Sequence, residues 1–347
     1  MLRTSMAVCW FVAALAAGGA LVVLAAPSAA AEAKGGDPPA IGIEVPFPFD
    51  EPANMNDPDD VALRTLAAKW RKPDGTTDQD ALVALLKKRL DAVNKKLMAT
   101  FKMTETPHYL VCSDADTAVT GQFVTWCEAL YNNLSSLFGL KSGDHVWDAK
   151  CMLFLFKYRS KFEQYSLMLD SRSAKRAGAY FAVENYRPGE PRLVKICIPV
   201  DEKEPRKLQE YFAHEGTHAF FEVYRKPAHL PLWLHEGLAE YMTIVNDRTL
   251  RQPKVAVATK IGRSGGTIQQ VLLSRTGDML AWEDYCVSMT LVDFLIAAGK
   301  PKFKKFVEAL KDGTAQEKAL PAAYGFTLDD LEQRWRTYVT DYLPRHP

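Results

Sequence analysis

The sequence has no surplus of either charge: Lys and Arg number 43 against 42 Asp and Glu over 347 residues. A nucleic-acid binder would carry a basic face, and a reader of anionic lipid a polybasic run; neither is present. Cysteine is scarce, six in all and none in a C-x-x-C spacing. That excludes a disulfide-built miniprotein and argues against a cysteine zinc site. Gly and Pro, 20 each, are too few for a collagen-like or low-complexity chain, and 48% hydrophobic residues exclude a disordered one. What remains is long enough for one large domain, or one domain plus a smaller helical piece, with a sizeable core.

One long apolar run exists, at the start. Arg3 is the only charge before Glu32, Ala7 to Ala26 is apolar, and Pro27, Ser28 and Ala29 to Ala31 follow. This is the pattern of a secretory signal peptide, with cleavage expected after Ala31. An uncleaved anchor is the alternative, since the run is just long enough to span a bilayer. Cys9 sits inside the run rather than beside the cut, which leaves a lipoprotein without support. The mature chain is then formally neutral, secreted or held in the periplasm or cell envelope, with no stable membrane span. Its five cysteines (Cys112, Cys127, Cys151, Cys197 and Cys286) all lie in apolar surroundings and read as buried free thiols.

Residues 32–60, rich in Ala, Gly, Pro and Asp, read as a flexible lead-in. Residues 61–103 carry helical periodicity, with Leu82, Leu85, Leu86, Leu90, Val93 and Leu97 at spacings of three and four. From Thr104 to the C-terminus the pattern is that of one domain. It predicts strands at 108–113, 151–156, 178–183 and 193–199, and an amphipathic helix over 122–138 that stops at Gly139. After Asp201 almost everything reads as helix. Strands first and helices later predict an α+β fold, a small N-terminal sheet followed by a mostly helical lobe.

The chemistry concentrates in Tyr211-Phe-Ala-His214-Glu215-Gly-Thr-His218-Ala-Phe-Phe221. On a helix His214 and His218 share one face, about 5.4 Å apart, and two imidazoles so placed can converge on one zinc ion. Glu215 projects beside that ion, where a carboxylate can take a proton from water. A catalytic zinc site needs a third protein ligand and an open fourth position. Pro231-Leu-Trp-Leu-His235-Glu236-Gly237-Leu-Ala-Glu240-Tyr-Met242 supplies candidates. Glu236 lies 18 residues after His218, room for one helix to end and a second to pack alongside. Glu240, one turn on, can accept the other ring N–H of a ligating histidine. Carboxylates among Trp233, Leu234, Leu238 and Met242 would be costly to bury without a cation or donor.

HExxH followed by W-L-x-E-G-L-A-E-Y resembles the gluzincin peptidases, the thermolysin and aminopeptidase clan, and most of all the peptidase-MA-like families of secreted or envelope proteins. The resemblance runs from about Thr104 to the C-terminus and implies a zincin-like, thermolysin-type catalytic lobe. It implies Zn2+ held by His214, His218 and Glu236, Glu215 as general base, Glu240 supporting a ligand, and a peptide or protein substrate. Tyr285-Cys-Val-Ser-Met-Thr-Leu-Val-Asp-Phe-Leu295 is similar to the gluzincin aminopeptidase helix whose leading Tyr stabilises the oxyanion. That gives Tyr285 the same expected role, one suited to a neutral donor. The aminopeptidase G-A-M-E-N motif is matched only by Phe181-Ala-Val-Glu184-Asn185, with the E-N pair but neither the Gly nor the Met. This stretch reads as an edge strand, able to bind an extended peptide by strand addition.

His229 and His235 read as solvated loop residues, and His108 and His145 have no partner by spacing. Ser264-Gly265-Gly266 reads as a flexible loop. The expectation is therefore an exported zinc metallopeptidase. Its rivals are a non-catalytic envelope protein that keeps the fold as a binding or structural module, and a zinc amidase acting on cell-wall material.

Overall fold

A computed structural model describes residues 70–345 apart from 73–75, 142–143, 176, 185–190, 202–203, 226–228, 276–277 and 279. It also describes a two-residue antiparallel pairing of Ala13–Ala14 with Leu21–Val22. That pairing aside, the expected leader (1–31) lies outside the described residues, as do the lead-in (32–60) and residues 61–69.

The fold is α+β. Five strands form one sheet: β1 (Lys102–Glu105), β2 (Tyr109–Ser113), β3 (Cys151–Phe156), β4 (Tyr180–Glu184) and β5 (Leu193–Pro199), in the order β1-β2-β3-β5-β4. The three inner strands run parallel and both outer ones antiparallel to their neighbours. β2, β3 and β5 read as mostly apolar runs, interrupted inside only by Lys195 of β5, because both faces of the sheet are covered. On one face Val111, Leu153 and Ile196 meet the main core. On the other, Cys112, Phe154 and Cys197 pack with Leu82, Leu86 and Phe162. Those last residues come from α1 (Gln79–Leu97) and α3 (Arg159–Leu169).

α1 carries the leucine spacing read from the sequence, and Asp78 caps it by accepting from Ala81 N–H. It ends at Leu97, and β1 starts at Lys102, so a boundary at Thr104 would divide a strand. α2 (Thr117–Phe138) stops at Gly139, whose φ of 61° is the left-handed conformation that favours glycine at a helix end. The five cysteines from Cys112 to Cys286 are buried free thiols.

The helical lobe begins with α4 (Pro205–Val223), which lies on the sheet against β5 and β4. α5 (Leu232–Asn246) follows, buried on almost every side and sandwiched between α4 and a later helix. Then come α6 (Arg251–Ser264), the short α7 (Gln269–Leu272), α8 (Trp282–Ala297), α9 (Lys300–Lys311), α10 (Gln316–Tyr324) and α11 (Leu328–Thr337). Two glycines set the spacing of these layers. A Cβ on Gly216 of α4 would sit 2.5 Å from the Leu130 side chain of α2. One on Gly237 of α5 would sit 2.4 Å from the backbone oxygen of Ser288 in α8, so α5 and α8 touch backbone to backbone. Among the described residues no helix is long and apolar enough to cross a membrane.

Candidate metal centre

α4 starts on Pro205, a residue suited to the first helical turn because its missing N–H would have no partner there. Leu208, Phe212, Ala219 and Val223 bury its apolar face, which turns residues 214–218 inward toward α5. His214 and His218 stand one turn apart with their rings nearly perpendicular, at 84°. Their Nε2 atoms are 3.0 Å from each other. From α5, Glu236 Oε2 approaches each of these nitrogens to 3.5 Å. Among the described residues this is the one group of three or more side chains arranged to hold a metal ion.

The donor set fits a tetrahedral zinc. Ligand atoms at about 2.0–2.2 Å from such an ion lie about 3.3 Å from one another. The three edges here are 3.0, 3.5 and 3.5 Å. The opposite ring nitrogens are engaged too. His214 Nδ1 is 3.1 Å from Glu240 Oε1, and His218 Nδ1 is 3.1 Å from His235 Nε2. With protons on both Nδ1 atoms, the two Nε2 lone pairs and the Glu236 oxygen point into one small space. Glu236 Oε2 is buried and accepts no hydrogen bond. Three electron-rich atoms facing one another inside a protein need a cation between them.

Exposure makes the demand sharper: His214, Glu215, His218, Glu236 and Glu240 are 5%, 3%, 1%, 3% and 3% accessible. Burial opposes a charged His214, yet Glu236 and Glu240 outweigh it and hold the ring protonated well above the ordinary imidazole range. Burial likewise pushes Glu236 up, but His218 and His214 hold it far below the usual carboxylate range. A bound divalent ion would take over the role of that shared proton. Glu240 is pushed up by burial and held down to about 2 by Lys254 and His214.

Glu215, on the same helix as His214 and His218, reaches the edge of β4. Its Oε2 accepts from the backbone N–H of Phe181 at 3.1 Å, while Arg172 donates to the carbonyl of the same residue at 3.1 Å. Arg172 also stacks over the Tyr180 ring, 3.6 Å from its centroid. Burial, with Glu236 adding to it, raises the Glu215 carboxyl against the pull of His214, His218 and Arg172. A raised carboxyl suits a group that must both take and return a proton. β4 is an edge strand of the sheet, as the sequence suggested, and it stands beside the HExxH helix.

Tyr285 lies in the first turn of α8, half-buried, on the helix that packs against α5. Its neighbour Cys286 is buried close to Lys254 and Glu240. His235 corrects the expectation of a solvated loop residue: it sits inside α5, buried, with its ring against His218. His229 is exposed and borders a surface cavity of about 520 Å³ between the start of α5 and the α9–α10 connection, which none of the five metal-centre residues lines. His108 gains a partner that spacing could not show, Glu128 at 2.7 Å, and stacks on Tyr131. Three residues of the site were not singled out from the sequence: Lys254 and Arg172, which look like ordinary surface cations, and His235 as a partner of His218.

Residues 195–341, from β5 through the helical lobe, match the family model described as the Peptidase MA superfamily. No curated protein matches the chain. Among solved structures, a mutant of the M1 zinc metallopeptidase from Deinococcus radiodurans is similar at 15% identity and a TM-score of 0.39, over 68% of this chain and 49% of that one. The chain thus spans about half the length of that protein.

Proposed function

We propose that this chain is an exported, zinc-dependent metallopeptidase, with Zn2+ held by His214, His218 and Glu236. The observation that carries this reading is the buried Glu236 Oε2, which accepts no hydrogen bond and faces two imidazole nitrogens. The match of residues 195–341 to the Peptidase MA superfamily supports it. When bound, zinc would polarise the scissile carbonyl and make water acidic enough to surrender a proton near neutral pH.

The chain's own groups do the rest. Glu215 takes a proton from the attacking water and passes it to the leaving amine. Glu240 and His235 fix the orientation of the two imidazoles through their Nδ1 atoms. Tyr285 donates to the oxyanion as it develops. An extended peptide adding to β4 would compete for the Phe181 N–H that Glu215 now occupies, which would free the carboxylate as substrate arrives. In this reading residues 1–31 are a cleaved leader, and the mature protein is secreted or held in the cell envelope. Their presence on the exported protein, seen by mass spectrometry, would overturn the cleavage.

The test pairs metal analysis with hydrolysis. Wild type should contain one zinc by elemental analysis and His218→Ala should lose it. A mixed peptide library should be cleaved by wild type and spared when a chelator is added. Glu215→Gln should keep zinc while losing about 10²–10⁴-fold in rate. Full residual activity in that variant would refute the general-base role. Zinc without peptide hydrolysis would favour a binding module, and release of amide-linked wall fragments instead of peptides would favour an amidase.

A further inference from the structure

Glu240 Oε1 lies 3.1 Å from His214 Nδ1, where accepting that ring's N–H leaves Nε2 free to face an ion. At 3% exposure this carboxyl group has almost no water to hold it in that orientation. The side chain that meets it instead is Lys254. Its ammonium, itself only 2% exposed, contacts Glu240 Oε2, the oxygen that His214 leaves open. Glu210, one turn before His214 on α4, lies 3.9 Å from the same Nζ, and the Trp282 ring centroid lies 5.4 Å away. A lysine in a helix that otherwise faces solvent on one side has been drawn fully inside, at the cost of its hydration.

We infer that Lys254 is a positioning residue for the metal centre, acting through the chain Lys254–Glu240–His214 to keep the imidazole Nε2 free for the ion. This rests on the zinc reading of His214, His218 and Glu236. Lys254 comes from α6, which lies beyond the two motif helices and packs on α8. The ion's affinity is thereby tied to how α6 is seated on the lobe. A purely structural lysine would stabilise the packing of α6 and leave zinc affinity alone.

The experiment measures the dissociation constant for Zn2+ by chelator competition on the full-length protein, with circular dichroism and urea unfolding of each metal-free variant as the fold control. Lys254→Met should weaken zinc on the order of 10–100-fold, the range for partners behind a ligating histidine. Glu240→Gln should do the same. Because both act through one path, the double variant should bind zinc no more weakly than Glu240→Gln alone. Lys254→Gln, which keeps a donor toward Glu240 without the charge, serves where Lys254→Met yields no folded protein; a loss of about 10-fold is expected there. Lys254→Arg, which restores the charge, should recover most of the affinity. Wild-type affinity in Lys254→Gln or Lys254→Met, or losses that multiply in the double variant, would overturn the inference while leaving the zinc reading intact. A wild-type protein that binds no zinc would overturn both.

Discussion

Among the described residues, two lysines are buried against carboxylates, and the two clusters differ in one respect. On the α1/α3 face of the sheet, Lys195 of β5 meets Asp170, and the second Asp170 oxygen accepts from the Tyr180 hydroxyl at 2.6 Å. Both oxygens of that carboxylate are satisfied by protein. In the helical lobe, Lys254 meets Glu240, whose other oxygen meets His214, but the series does not close: it runs on to Glu236 Oε2, buried without a hydrogen bond. The closed cluster holds the loop after α3 against β4 and asks for nothing more. The open one has the same cost of burial and leaves one place for a positive charge from outside. Buried ions alone do not mark a site; an unfinished set of partners does.

The largest effect should come from breaking the closed pair. Lys195→Met leaves the buried Asp170 carboxyl group without its cationic partner, which typically costs about 3–5 kcal/mol. Urea unfolding should show that loss, while zinc affinity of the folded fraction should not change. A loss of zinc affinity in Lys195→Met would mean that the two clusters are coupled and the comparison fails. Next comes Glu236→Gln. It removes the anion that the open cluster directs at the ion, so zinc should bind at least about 100-fold more weakly, beyond what supporting partners cost. With chelator present its unfolding midpoint should not fall below that of wild type, since Gln keeps the shape and removes a buried charge. A metal-free Glu236→Gln as unstable as Lys195→Met would show that the open cluster is closed after all.

How far the sequence reveals this architecture depends on whether the deciding force is local. α4 and α5 were readable because His, Glu and apolar residues recur at helical spacing within one segment, and β3 and β5 because their apolar runs have sharp ends. β1 was not, since three of its four residues are exposed and leave no alternating pattern. α3 buries only Phe162, Tyr165 and Ser166, too few for a periodic signal. The strand order was also hidden, because β5 lies between β4, its neighbour in sequence, and β3, with which it pairs in parallel far back along the chain. Within the site, the ligand candidates could be named from spacing, but Lys254 and Arg172 could not. A lysine on an amphipathic helix looks solvated until the tertiary fold decides which side of the helix is covered. His235 misled for the same reason: α5 is buried nearly all round, so the position beside Glu236 faces His218 rather than water.

A third buried lysine sharpens the comparison with the smallest effect. Lys311, 2% exposed at the end of α9, donates to the carbonyl of Phe221 on α4 at 2.7 Å. It has a dipole where Lys195 and Lys254 have carboxylates. Burial therefore lowers it to about 8, only partly opposed by Glu222. The sign follows from proton counting. Between about 8 and the ordinary value of 10.5, the unfolded chain holds a proton on this amine that the folded chain has released. The Lys311 contribution to stability must then rise with pH across that window, and the penalty is fully present below about 8. The buried cysteines and Tyr224, raised by burial, pull the other way, because the unfolded chain ionises them first. Lys311 is therefore read from a difference between variants. In urea unfolding of metal-free protein, the stability of Lys311→Met should fall more steeply with pH above about 8 than that of wild type. Lys195→Arg, which keeps its carboxylate partner, should leave the slope as it is. An equal slope in wild type and Lys311→Met would assign the pH response to other groups, and would mean that a backbone carbonyl serves a buried lysine as well as a carboxylate does.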